Sequence, residues 1–266
     1  MVRKPAVAGQ FYPGEEQSLR ETVGALVPVG EQRHAFGVVS PHAGYVYSGA
    51  IAGAVFSCIH VPETVVILGP NHRGAGHRAA VYPEGSWETP LGRSEIDAQL
   101  SRKLVQSCDL LQEDEAAHRF EHSLEVQLPF LQYLNPSLRI VSICLSHARP
   151  DELVGLGVQM AEVLKEDGRE ILLVASSDMT HYESAQTAQK KDTAAIDQIL
   201  ALDPVGLYRV VAEQGITMCG VVPTVVMLSA CNRLGAKKAT LVRYGNSGDV
   251  TGDQHEVVGY AGLVVE

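Results

Sequence analysis

The sequence predicts an α/β protein of one domain, with a mostly parallel central sheet and helices on both faces. Short runs rich in Val, Ile and Leu at residues 35–39, 64–68, 138–145 and 170–175 are bounded by Gly, Pro and Ser, the pattern of strands buried on both sides. Segments of helical periodicity separate them, and strict alternation of this kind calls for parallel strands joined by crossover helices. No internal repeat, low-complexity segment or long linker divides the 266 residues, so residues 1–266 read as a single unit.

The elements follow in order. Residues 18–26 suggest a helix that ends near Pro28-Val29-Gly30. After the strand at 35–39, residues 48–59 form a small-residue helix that Ser48 is placed to cap. The strand at 64–68 leads into a Gly- and His-rich loop, residues 69–78, and a strand at 79–82. Helical spacing returns at 96–107 and at 122–134, where Pro129 implies a kink or a late start. The strand at 138–145 precedes a helix at 151–165 that Gly168 can terminate. The strand at 170–175 precedes helices at 185–200, 204–213 and 223–232, the last with Pro223 in its first turn. Strands at 239–244 and 257–265 close the chain.

Composition narrows the class. Net charge is −10, from 31 acidic against 21 basic residues, which argues against a nucleic-acid partner. No window approaches 18 uninterrupted apolar residues, and the basic N-terminus has no apolar stretch behind it, so neither a membrane span nor a signal peptide is expected. The five cysteines are odd in number and lack a C-x-x-C pair, as expected of reduced thiols in a cytoplasmic protein. The many alanine- and valine-rich helical faces leave room for a homodimer.

Each of the four apolar runs breaks off into a loop that carries a histidine: His42, His72, His147 and His181. Ligands of parallel sheets bind beyond the carboxyl ends of the strands, so these loops can share one rim. Imidazole is the commonest protein ligand for a transition metal, which makes His42 and His72 candidate ligands. Cys219 lies just ahead of the helix at 223–232, where exposed amides and the helix dipole favour a thiolate. Asp178 and His181 share a loop and can serve as acid and base. His122 is a candidate for orienting a ligand or for facing the pocket. His147 is as readily a surface residue, since Arg149-Pro150 follow at once. Cys58, Cys108, Cys144 and Cys231 read as packing residues.

At these positions the chain resembles the Memo-like family, whose bacterial and archaeal members are called AmmeMemoRadiSam system protein B. The matching segments are Ala8-Gly9-Gln10-Phe11-Tyr12-Pro13, Pro41-His42-Ala43-Gly44-Tyr45, Gly69-Pro70-Asn71-His72, Glu121-His122-Ser123-Leu124-Glu125, Ser176-Ser177-Asp178 with His181, and Met218-Cys219-Gly220. That family is similar in fold to the class III extradiol dioxygenases, which hold iron(II) with two His and one Glu. The resemblance implies a metal site of His42, His72 and Cys219, with His181 and Asp178 moving protons and Phe11 and Tyr45 walling the pocket. It also implies iron or copper as cofactor, with zinc as a further candidate, and a small-molecule or peptide ligand. A radical SAM protein is the implied partner. A thiolate in place of a carboxylate is a softer donor, so ring cleavage does not follow from fold alone. The leading expectation is a metal-dependent oxidoreductase. The alternatives are an adaptor that binds a peptide or modified ligand without turnover, as described for animal members, and a zinc hydrolase.

Overall fold

Backbone pairing brings the predicted apolar runs side by side. In the computed structural model, which describes residues 1–266, the strands in chain order are β1 (Val2–Arg3), β2 (Gly37–Ser40), β3 (Thr64–Pro70), β4 (Ala79–Val81), β5 (Ser86–Thr89), β6 (Gly92–Ile96), β7 (Gln112–Glu113), β8 (Arg139–Leu145), β9 (Ile171–Ser176), β10 (His181–Glu183), β11 (Ala239–Asn246) and β12 (Val257–Val265). They build one sheet whose centre runs β6-β8-β3-β9-β2, every pair parallel. β12 pairs antiparallel with β2 and carries β10 and β11, also antiparallel. The sheet is therefore mixed, with a parallel core, antiparallel pairing beyond β2 and between β5 and β6, and a short parallel β1–β5 pair at the far end.

The helices are α1 (Glu16–Leu26), α2 (Tyr45–Ser57), α3 (Ala98–Ser107), α4 (Leu128–Leu134), α5 (Pro150–Asp167), α6 (Ala185–Leu200), α7 (Pro204–Glu213), α8 (Val221–Leu234) and α9 (Gly248–Thr251). Alternate residues of the central strands feed two separate cores. Val66, Leu68, Val141, Ile143, Leu173 and Ala175 pack with apolar residues of α3, α5, α7 and α8. Val65, Ile67, Ile140, Leu172 and Val174 pack with residues of α1, α2 and α4. That period of two is why these strands read as continuous apolar runs: both faces are covered. No helix is long and apolar enough to cross a membrane.

Several expectations shift in detail. The second helix begins at Tyr45, so Ser48 lies one turn inside it and its hydroxyl donates to the Ala43 carbonyl at 3.0 Å instead of capping. Pro129 marks a late start: a 3-10 turn, Glu125–Gln127, precedes α4, and the proline falls in the first turn where its missing N–H costs nothing. Ile96 belongs to β6, and Asp97 caps α3 by accepting from the Leu100 amide at 3.0 Å. Gly168 ends α5 in the left-handed conformation, φ 72°, as expected.

Candidate metal centre

Three neighbouring parallel strands aim their outgoing loops at one place. β9 lies between β2 and β3, with Ser40 in register with Ser176 at the carboxyl ends. The loop after β2 delivers His42, the loop after β9 delivers Asp178, and the loop after β3 delivers His72. The His42 side chain is buried; its backbone amide donates to Asp178 Oδ1 at 2.8 Å, and its Nδ1 lies 2.8 Å from Ser176 Oγ. The His72 amide donates to Glu121 Oε2 at 2.7 Å and its Nδ1 donates to Glu121 Oε1 at 2.9 Å. A carboxylate gripping both groups fixes the ring and leaves Nε2 open. His147, after β8, is exposed and instead faces the Tyr208 hydroxyl, 3.1 Å from its Nε2.

His122 joins this pair. Its ring stacks on His72 with centroids 4.9 Å apart and an interplanar angle of 17°, and meets His42 edge-on at 5.5 Å. One ligand nitrogen from each of His42, His72 and His122 lies within 4.8 Å of the others. His122, expected either to orient a ligand or to face the pocket, is thus one of three converging imidazoles. Cys219 precedes α8 and stands outside that trio, against His42: its Sγ is 3.3 Å from His42 Nε2 and accepts from the Asp178 amide at 3.3 Å. His181 is held by Thr217, whose hydroxyl accepts from the His181 amide at 2.7 Å and whose carbonyl accepts from Nδ1 at 2.9 Å. A carbonyl only accepts, so His181 carries its proton on Nδ1 and Nε2 is free. A register shift between His181 and Glu183 leaves Tyr182 at φ 59°, a bulge between the His181–Val258 and Glu183–Val257 pairs beside the site.

Phe11, expected to wall the pocket, meets the His122 ring edge-on at 4.8 Å. Tyr45 does not wall it. It is buried between Tyr12 and Phe130, and its hydroxyl donates to the Val126 carbonyl at 2.8 Å, so it supports the loop from the core. Glu121 and Ser176 are site residues that sequence reasoning misses. Both lie inside the matched motifs, beside the residues that point to chemistry, and that adjacency is the one signal that could have found them.

Burial sets the electrostatics. Desolvation, then the nearby His72, depresses His42 to about 3; desolvation, then His42, depresses His122 to about 4. Both rings are therefore neutral at physiological pH, the form a metal requires. Burial opposes ionisation of Glu121, yet hydrogen bonding and electrostatic attraction from His72, with the Ser123 amide, prevail and hold it at about 2. Burial raises Asp178. The Cys219 thiol is pushed up by burial and by Asp178, which overturns the expectation of a thiolate stabilised by the α8 N-terminus: loss of solvation outweighs the dipole.

Fold and site together define an α/β protein whose parallel strands gather neutral imidazoles, a thiol and two carboxyl groups at one rim. The chain belongs to the Memo-like family, which it matches as "Memo-like protein" over residues 3–264. It is 42% identical to a MEMO1 family protein of Methanopyrus kandleri, covering 99% of each chain, and 44% identical to one of Aquifex aeolicus, covering 99% of this chain and 98% of that one. A MEMO1 family protein of Methanosarcina acetivorans is 42% identical over 100% of this chain and 99% of its own. The crystal structure of uncharacterized protein JW3007 from Escherichia coli K12 shares the fold, with a TM-score of 0.56 at 14% identity over 86% of this chain and 99% of that one.

Proposed function

We propose that this protein is a metal-dependent oxidoreductase that holds one iron or copper ion on His42, His72 and Cys219 and acts on a small molecule bound beside that ion. The observation that carries the reading is the spacing of its donors. Two ligands at metal-bond lengths of about 2.1 and 2.3 Å lie about 3.1–3.6 Å apart for angles between square and tetrahedral. Cys219 Sγ and His42 Nε2 are 3.3 Å apart, within that range. His72 adds a nitrogen whose partner atom is already committed to Glu121. His122 is close enough to complete or face the same centre. A set of imidazole and thiolate donors suits copper, iron or zinc ahead of hard cations.

A bound ion of this kind supplies Lewis-acid polarisation and one-electron chemistry. The protein's own groups supply the rest. Asp178, whose burial favours the protonated carboxyl, is placed to give a proton. His181, with Nδ1 fixed on Thr217, offers Nε2 to take one. Phe11 bounds the site where it meets the His122 ring edge-on.

Metal content after anaerobic supply of iron(II), copper(I) or zinc, followed by oxygen uptake, tests the reading. Wild type is expected to retain about one ion per chain, and a His72→Ala/Cys219→Ala double variant to lose it. Absence of metal in wild type, or full retention in the double variant, rejects the proposal. A His122→Ala variant measured alongside shows whether that imidazole is a further ligand.

A further inference from the structure

The Ser176 hydroxyl is buried, and its one proton and both lone-pair positions are all engaged. Gln127 Nε2 lies 2.9 Å from the Pro41 carbonyl and 2.8 Å from Ser176 Oγ. The Pro41 carbonyl only accepts, so the nitrogen end of the Gln127 amide must face it, and the second N–H points at Ser176. The opposite amide orientation would set two oxygens against each other. Gln127 Oε1 is left without a partner, so the orientation is dictated by these two donations. Ser176 Oγ in turn lies 2.7 Å from the Ser123 carbonyl, which also only accepts. The single hydroxyl proton is therefore committed to Ser123, and Oγ has lone pairs only for its other two neighbours. One is Gln127. The other is His42 Nδ1 at 2.8 Å, and that nitrogen must carry the ring proton.

We propose that Ser176 is a positioning residue for the candidate centre: locked by Ser123 and Gln127, it forces His42 to keep its proton on Nδ1 and its Nε2 lone pair toward Cys219. This rests on the metal reading above for its purpose, but not for its geometry. Ser176 has no exposure, so no water competes for the same lone pair. The device differs from the one behind His72, where a carboxylate does the holding. Two ligands thus receive the same tautomer from chemically different partners on different strands and loops. In the protein without metal, the open Nε2 accepts from the Cys219 thiol, which explains why the sulfur rests at hydrogen-bonding distance from it.

The test is histidine tautomer assignment by nitrogen NMR on the metal-free protein, joined to copper(I) and zinc titration. Wild type should show His42 protonated on Nδ1 alone. Ser176→Ala should lose that preference and bind either metal about 10–100-fold more weakly. Ser176→Thr, which keeps the hydroxyl, should restore both. Wild-type His42 protonated on Nε2, or a Ser176→Ala protein with unchanged tautomer, overturns the assignment, and the wild-type spectrum alone decides it if the alanine variant fails to fold. A tautomer that shifts in Ser176→Ala while wild type binds no metal supports the Ser176 assignment and rejects the metal reading, so the two failures are told apart.

Discussion

Arg3 donates through all three guanidinium nitrogens: Nε to the His118 carbonyl at 2.8 Å, Nη1 to Glu125 Oε2 at 2.7 Å and Nη2 to the Glu121 carbonyl at 2.6 Å. Its guanidinium lies over Trp87, 4.1 Å from the ring centroid. Glu125 also accepts from the Ala6 and Val7 amides and the Tyr12 hydroxyl, so one buried carboxylate ties the N-terminal segment to the loop that carries Glu121 and His122. Removing one partner of a buried ion pair strands the other charge, at a cost of about 3–5 kcal/mol. Arg3→Met should lower the unfolding free energy by that amount in urea titration; a loss under about 1 kcal/mol would show that the three remaining donors satisfy Glu125 alone. This layer is not legible in the sequence. Arg3 reads there as a basic residue in a short lead, and Glu125 as the last residue of a motif, because only the fold brings Glu125 its partners from more than a hundred residues away. His42, His72 and Asp178 are legible because each follows directly on an apolar run.

The packing of α1 on α2 rests on a small residue. A Cβ placed on Gly53 would run into the Leu26 carbonyl at the end of α1, and one on Gly49 would lie 2.8 Å from Leu26 Cδ1. Alanine is favoured over glycine in a helix by about 1 kcal/mol, so an open site gains from the change. Gly155 in α5 is such a site, with nothing within 4 Å of where a Cβ would stand. Thermal unfolding should therefore show Gly155→Ala more stable than wild type by up to about 1 kcal/mol. Gly53→Ala should be less stable by about 1–3 kcal/mol, because backbone cannot yield as a side chain would. Equal effects at the two positions would refute the close approach. Elements with a strong period, such as α6, α7 and β12, match the sequence reading at both ends. The β5–β6 hairpin and β10 escape it because they are short and mostly polar, held by pairing to neighbours and not by their own pattern.

Across the whole molecule, buried neutral histidines make folding sensitive to acid. His118 is fully buried; desolvation and then the charge of Arg3 depress it to about 3, against about 6.5 in an unfolded chain. Its Nε2 donates to the Ala80 carbonyl at 3.1 Å, and Tyr82 and Trp87 pack on the ring. Between pH 6.5 and 3 the unfolded state binds a proton that the native state refuses, so stability present above pH 6.5 is lost as pH falls. For one such ring the loss is about 1.4 kcal/mol at pH 5.5, and His42 and His122, depressed to about 3 and 4, act in the same direction. Asp178 and Asp192 act the other way: burial raises both, so the native state takes up their protons first and gains on acidification. Glu121, held at about 2, contributes loss only below the ordinary carboxylate range. The net slope mixes these terms, but a comparison of wild type with His118→Gln isolates one of them, since an amide can still donate to Ala80 and does not titrate. Whatever the substitution costs at pH 7.5, the difference should move in the variant's favour by about 1.4 kcal/mol on going to pH 5.5, read from paired urea titrations. A difference that stays constant between the two pH values would mean that His118 is protonated in the native core, and that Arg3 does not keep the charge out.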